Sequence, residues 1–254
     1  MRELTEERHS AIKKTFRLAD QVIAMAQWAK DVLIANGVDP RKITVIRHGL
    51  DTPQHLADGK ASAAHDVLKF AWFGRASPTK GLSILIDALK GAPSLKVELD
   101  AYPLVQGATD QVFLADIRHR ASSDPRINFK EPVDPRDVVA TMGAYDLLAV
   151  PSQWFETGPH VVLEAFAAGI PVIGSDTPGI RELVRNGHNG ILIERDNVAA
   201  WSQGLALVAD RSTLLQLTGN VTAPPSMADS ADATIAVYET ALSGRTYAPA
   251  RPRP

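Results

Sequence analysis

The sequence contains no cysteine, so it can form no disulfide, offer no thiolate nucleophile and hold no cysteine-ligated zinc or iron–sulfur centre. Aromatic residues are sparse, at 6%, too few for a platform on which single-stranded nucleic acid would stack. No charge of one sign dominates: 27 Lys and Arg stand against 29 Asp and Glu, a net charge of -2. A nucleic-acid partner is disfavoured, because sequence-independent binding needs a basic footprint. No run approaches about 18 consecutive apolar residues, so no transmembrane segment is expected. The N-terminal stretch M-R-E-L-T-E-E-R-H-S is charged and lacks the apolar core of a signal peptide. No acidic triplet or histidine cluster has obvious metal-ligand spacing.

What is present is the composition of an ordinary globular core, 45% hydrophobic and 22% charged over 254 residues. Short apolar runs alternate with longer segments of helical period. Strands are expected at 22–25, 43–46, 70–73, 96–99, 127–129, 147–150, 171–174 and 190–193. Helices are expected at 5–19, 27–36, 80–90, 110–121, 135–142, 160–168, 178–186, 197–209 and 228–243. Several strands are apolar throughout, as strands buried on both faces are. The expected fold class is α/β, a Rossmann-like open, mostly parallel sheet with helices on both faces. Residues 52–66 are polar, small and aperiodic, and read as a linker. The expected organisation is a leading segment with linker at 1–56, the sheet domain at 57–224, and a C-terminal helix with a frayed tail at 225–254. The leading segment carries only two strands and two helices, too little for a core of its own.

Two segments could carry chemistry. The first is F-G-R-A-S-P-T-K-G at 73–81, where a strand is expected to end at Phe73, Gly74 to allow a sharp turn and Lys80 to open a helix. Helix-start amides together with Arg75 and Lys80 suit a phosphate or diphosphate, Arg by its planar fork and Lys as a point charge. The spacing is not that of a Walker loop. Two solvated cations on a plain strand-to-helix connection is the alternative.

The second segment is P-S-Q-W-F-E-T-G-P-H-V-V-L-E-A-F-A-A-G-I-P-V-I at 151–173. Gly158 and Pro159 mark a helix start, which puts Glu156 just before the helix and Glu164 inside it, between Leu163 and Ala165. A carboxylate in that setting is costly unless it is hydrogen-bonded. Sugar hydroxyls would serve, and so would a neighbouring Arg or Lys. Backbone amides around Gly158, His160 and Val161 could receive an anionic ligand. Both segments follow expected strand ends, where open α/β sheets bind ligands, so the two can share one crevice. A diphosphate in one and hydroxyls in the other describe a nucleotide-sugar.

The residues G-R-x-x-x-x-K-G at 74–81, E-x7-E at 156–164 and T-P-G-I-R-E-L-V-R-N-G-H-N-G-I-L-I at 177–193 occur in one order. With K-I-T-V-I-R-H-G-L-D at 42–51, the chain resembles the C-terminal, donor-binding half of a group 1, family 4 retaining glycosyltransferase of the GT-B fold. The resemblance implies a nucleotide-sugar donor as substrate, no cofactor, no catalytic metal, and a saccharide, lipid or other hydroxyl compound as acceptor. It implies a cytoplasmic location or one peripheral to the inner face of a membrane. Arg75 and Lys80 would hold the diphosphate, with Gly74 beside them, and Glu164 the ribose hydroxyls. Glu156 would lie beside the donor sugar and, with Arg75 and Lys80, count as catalytic. The amides from Gly158 through Pro159 and His160 to Val161 would hold sugar or diphosphate, and the stretch from Glu131 to Val133 would lie near the base. The family also has an acceptor-binding N-terminal domain, of which residues 1–51 resemble only the last elements. The isolated chain is therefore expected to be inactive, with its leading strands covered by the remaining sheet, by a second copy or by a separate acceptor-domain partner. A non-catalytic nucleotide-sugar-binding or scaffold module is the alternative.

Some residues depart from the resemblance. Where the family often has a glycine-rich turn, this chain reads V-E-L-D-A-Y-P-L-V-Q-G at 97–107. Asp100 and Tyr102 either fill space near the ligand or mark a plain turn at Pro103, and the plain turn is favoured. The T-G-P-H after Glu156 brings His160 toward the sugar pocket. Glu182 is expected to cap a helix or pair with Arg181 or Arg185, and Asp146 to be structural. Trp28, Trp72, Trp154 and Trp201 are expected in core stripes. The other histidines, His9, His48, His55, His65, His119 and His188, are expected at the surface or in loops.

Overall fold

The computed structural model describes residues 2–51 and 67–244. The expected linker at 52–66, with His55 and His65, and the tail at 245–254 lie outside the described residues. The elements in chain order begin with α1 (Arg2–Leu18), β1 (Val22–Ala24), α2 (Gln27–Ala35) and β2 (Ile43–Val45). They continue with β3 (Leu68–Arg75), α3 (Leu82–Gly91), β4 (Val97–Leu104), α4 (Ala108–Ala121), β5 (Ile127–Phe129) and α5 (Val138–Met142). The rest are β6 (Leu147–Val150), α6 (His160–Ala167), β7 (Val172–Ser175), α7 (Pro178–Arg181), β8 (Gly190–Ile193), α8 (Val198–Val208), α9 (Arg211–Gly219) and α10 (Met227–Ser243). The chain forms two compact units, residues 52–224 and residues 1–51 with 225–254.

In the larger unit six strands pair in the order β5-β4-β3-β6-β7-β8, every pair parallel. The chain lays β4 and β5 outward on one side of β3, then returns to lay β6, β7 and β8 on the other. The order thus reverses between β3 and β6, the point at which a crevice opens outside the carboxyl ends of the strands. One sheet face sends Leu68, Phe70 and Trp72 of β3 and Val97, Leu99 and Ala101 of β4 into a core shared with α3, α4, α8 and α9. β6 and β7 are buried at every position, as strands covered on both faces are.

The smaller unit pairs β1 with β2, also in parallel, through Val22–Ile43, Ile23–Thr44 and Ala24–Val45. Its core is thin: Ala24, Val38 and Ile43, with Phe16, Leu33 and Val45 packed alongside. Leu50 exchanges backbone bonds with Pro225 and Met227, and Ser226 opens α10 with a capping box to Asp229. A side chain at Gly49 would overlap the Ser226 carbonyl, so this crossing requires glycine.

Four local expectations are corrected. β3 does not stop at Phe73 but runs to Arg75, so Gly74 is a strand residue opposite Pro103 rather than a turn. β4 likewise runs through Pro103 to Leu104, which removes the plain turn. Leu99 and Ala101 bond toward β5, and by strand alternation the Pro103 nitrogen faces the same side, where β5 has already ended. A proline costs no ladder bond there. The helix expected at 178–186 lasts only from Pro178 to Arg181. A helix that was not expected, α9, follows the Asp210 cap and buries Leu214 and Leu217.

Candidate active site at the carboxyl ends of β3 and β6

After Arg75 the chain makes a short 3-10 turn, Pro78–Lys80, capped by Ser77, whose hydroxyl accepts from the Thr79 amide. Gly81 then adopts φ 70° and opens α3, so the helix begins at Leu82 and not at Lys80. A side chain at Gly81 would run into the carbonyl of Pro151 at the end of β6. This close backbone approach, with the left-handed conformation, leaves glycine as the fitting residue. The Gln153 amide donates to the Thr79 carbonyl at 2.7 Å, and Trp72 Nε1 donates to the Lys80 carbonyl at 3.1 Å. The two chemistry-bearing segments are therefore stitched together through the backbone.

One consequence is that Lys80 Nζ lies 2.6 Å from Glu156 Oε1. The hydroxyl of Ser152, a residue 1% exposed, donates to the same oxygen at 2.9 Å. Ser152 was not among the expected residues; in the sequence it is one of many serines, and only the turn after β6 aims it at Glu156.

Arg75 is held differently. Its Nε donates to both oxygens of Asp110, at 2.9 and 3.1 Å. Asp110 sits in the first turn of α4, is only 2% exposed, and also accepts from the Gln106 amide at 2.9 Å. The Arg75 guanidinium, and after it the Gln106 amide, holds the Asp110 carboxyl below the usual carboxylate range, and Asp110 raises Arg75 in turn. Nothing local in the sequence marks this pair. An acid in a first helical turn reads as a cap, and its partner arrives by the pairing of β3 with β4.

Glu164 lies half-buried on α6 between buried Leu163 and Ala165. No Arg or Lys reaches it among the described residues, and burial raises its carboxyl above the ordinary value. Pro159 is the N-cap of α6, which sets Gly158, Pro159, His160 and Val161 at the helix start, with His160 exposed. Val133 lies half-buried between β5 and the Pro135–Asp137 turn.

Asp100 and Tyr102 project from one face of β4 into a polar cluster. The Tyr145 hydroxyl donates to Asp100 at 2.7 Å and lies 2.7 Å from the Tyr102 hydroxyl. Asn128 and Lys130 reach Asp100 at 3.0 and 3.2 Å, and Tyr102 stacks on Phe73. Burial first, then the hydrogen bonds with Tyr102 and Asp100, raises the Tyr145 phenol. Arg181 pairs with Asp176 at 2.6 Å, while Glu182 ends α7. Asp146 accepts from the Lys69 amide at 2.8 Å, the structural part expected of it. Trp72 and Trp201 are core residues, but Trp154 is 65% exposed. It lies in the irregular loop after β6, where no strand or helix periodicity turns it inward.

Among the described residues no helix is long and apolar enough to cross a membrane, and no group of three His, Asp or Glu is placed to hold a metal ion. A D-inositol 3-phosphate glycosyltransferase of Nocardia farcinica is 29% identical to this chain over 219 residues, covering 81% of this chain and 48% of the relative. The enzyme of the same name from Mycolicibacterium smegmatis is 28% identical over 246 residues, 93% of this chain and 56% of its own. The chain thus spans about half the length of the curated relatives it matches. Among solved structures, Anabaena HepE in complex with UDP and glucose superposes with a TM-score of 0.70 at 22% identity, over 92% of this chain and 65% of that one. Sucrose-phosphate synthase from Thermosynechococcus elongatus gives 0.77 at 20% identity, over 94% and 62%. These likenesses establish the fold, the α/β architecture of the GT-B type, with which a C-terminal half agrees. Residues 58–236 match the family of glycosyl transferases group 1, and the chain belongs to that family.

Proposed function

We propose that the larger unit binds a nucleoside diphosphate sugar and presents it for transfer, with retention, to a hydroxyl acceptor. The observation that carries the reading is the 2.6 Å contact between Lys80 and Glu156, made where the strand order reverses. It sets a cation and a carboxylate side by side in the place where open sheets take ligands. Arg75 and Lys80 hold the diphosphate, with Gly74 beneath it. Glu164, a half-buried carboxylate with no protein partner among the described residues, accepts from ribose hydroxyls. The α6 start, from Gly158 to Val161, receives the sugar or diphosphate, and Val133 lies near the base.

In the transfer the bond from the anomeric carbon to the diphosphate oxygen breaks and the acceptor oxygen bonds to that carbon on the same face. The acceptor proton passes to the departing phosphate oxygen. Negative charge grows on the diphosphate as the bond lengthens, so preplaced cations stabilise the transition state more than the ground state. Glu156 steadies positive character at the anomeric carbon; one of its oxygens is already engaged by Lys80 and Ser152, which argues against a free nucleophile. Neither metal nor cofactor is part of this scheme. Since the chain spans about half of its curated relatives, we assign it donor binding and expect no turnover from it alone. The acceptor, a saccharide, lipid or other hydroxyl compound, would be met with a second copy or a separate partner. A cytoplasmic location belongs to the same proposal.

Calorimetric titration with UDP, GDP, ADP and their sugar conjugates tests it, UDP first because the HepE structure holds UDP. One nucleotide is expected to bind, with Lys80→Ala and Glu164→Ala each weakening it roughly tenfold or more. A folded protein that binds none would leave a non-catalytic scaffold as the reading.

A further inference from the structure

Asp110 is a carboxylate removed from water almost completely, at 2% exposure. Such a group is costly unless its oxygens find donors. Both do: Oδ1 accepts from Arg75 Nε, and Oδ2 accepts from Arg75 Nε and from the Gln106 amide. The arrangement holds the guanidinium through its Nε–H, shared between the two oxygens, and restrains its orientation. The Arg75 side chain is nevertheless half exposed, and its two Nη groups have no protein partner among the described residues. Strand pairing sets Arg75 opposite Leu104, so the same carboxylate also fastens the altered loop after β4 to the end of β3.

We infer that Asp110 is a positioning residue that locks Arg75 so that its free Nη edge faces the donor diphosphate. The inference rests on the proposed role of Arg75 as a diphosphate ligand. Two effects of Asp110 oppose each other. Its charge partly offsets the attraction of Arg75 for phosphate, while its two-oxygen grip removes the rotamer freedom that a long side chain would otherwise lose on binding. The grip outweighs the offset, and this fixes the sign of the test.

The test is a double-mutant cycle of Arg75→Ala, Asp110→Asn and the pair, titrated calorimetrically with UDP, GDP and ADP and with their parent nucleosides. Asp110→Asn is expected to weaken the diphosphate that binds the unaltered protein by roughly tenfold. It should leave the matching nucleoside unchanged and add nothing in the Arg75→Ala background. Unchanged or tighter diphosphate binding by Asp110→Asn overturns the inference, as does a loss that persists without Arg75, which would mark a purely structural acid. If Arg75→Ala costs nothing, the diphosphate role of Arg75 itself has failed, an outcome distinct from a sensitive Arg75 with an indifferent Asp110. Should Asp110→Asn not fold, Arg75→Lys decides. It keeps the charge but cannot grip a carboxylate while presenting a second donor edge, so it should bind almost as poorly as Arg75→Ala, and full retention of affinity overturns the inference.

Discussion

Asp110 and Glu164 are two acids in sheltered positions of the same unit, and they have opposite surroundings. Asp110 accepts hydrogen bonds from an arginine and a backbone amide, which hold its proton affinity down. Glu164 has no donor among the described residues, and burial pushes its proton affinity up. The first arrangement is self-sufficient and contributes to the fold. The second is a standing cost, which a ligand that supplied donors would offset. Together the pair contrasts an acid that the protein itself satisfies with one that has no donor among the described residues.

Removing the cation from the satisfied acid should break the contrast most severely. Arg75→Leu leaves Asp110 sheltered with the Gln106 amide alone, and we expect a larger fall in melting temperature than from any single substitution at Glu164, Glu156 or Ser152. The pH dependence identifies the cause. Asp110 titrates in the folded protein below its ordinary value of 3.8, so its contribution is present above that value and is lost as pH falls through the folded one. The difference between Arg75→Leu and the unaltered protein, followed by thermal melts from neutral pH downward, should therefore shrink in acid. A difference that holds constant across that range would mean that Asp110 is not its source.

Neutralising the other acid should act with the opposite sign. Glu164→Gln, without nucleotide, is expected to stabilise the protein by about 1 kcal/mol near neutral pH, measured by urea unfolding, because an unpartnered charge leaves the interior. Glu164 titrates above its ordinary 4.5 in the folded protein, so its penalty is fully present above the raised value and vanishes as pH drops below the ordinary one. The gain from Glu164→Gln should fade over that window, and nucleotide binding should weaken in the same variant. A variant less stable than the unaltered protein at neutral pH would show that Glu164 is held by the fold after all.

How much of this was legible in the sequence depends on how local each signal is. L-L-A-V and P-V-I-G announce β6 and β7 because both faces are buried and every residue must be apolar or small. Arg75, Lys80, Glu156 and Glu164 stand in compact motifs, so they could be singled out without knowing the fold. Asp110 could not, since its partner lies 35 positions earlier in the chain and only parallel pairing of β3 with β4 brings the two together. The passage of β4 through Pro103 was hidden for a related reason: whether a proline ends a strand depends on whether the neighbouring strand is still there. Helix α9 escaped because R-S-T-L-L-Q-L-T-G buries just two of its residues, leaving a weak periodic signal beside a good cap.

The finest test of the comparison lies between the two acids, at Glu156. Its Oε1 accepts from Lys80 and from the buried hydroxyl of Ser152, so it is partly satisfied, yet the proposed function sets the donor sugar beside it. Ser152→Ala removes one donor and leaves the ion pair, and the expected loss of stability is about 1 kcal/mol, the net worth of one buried hydrogen bond. If the hydroxyl serves mainly to orient Glu156, nucleotide sugar should lose more affinity than free nucleotide in this variant, by roughly threefold, because only the sugar meets that carboxylate. Equal losses for both ligands would assign Ser152 to the turn it occupies, where it also lies 3.4 Å from the Thr79 carbonyl, and would place Glu156 with Asp110 among the acids that the fold itself satisfies.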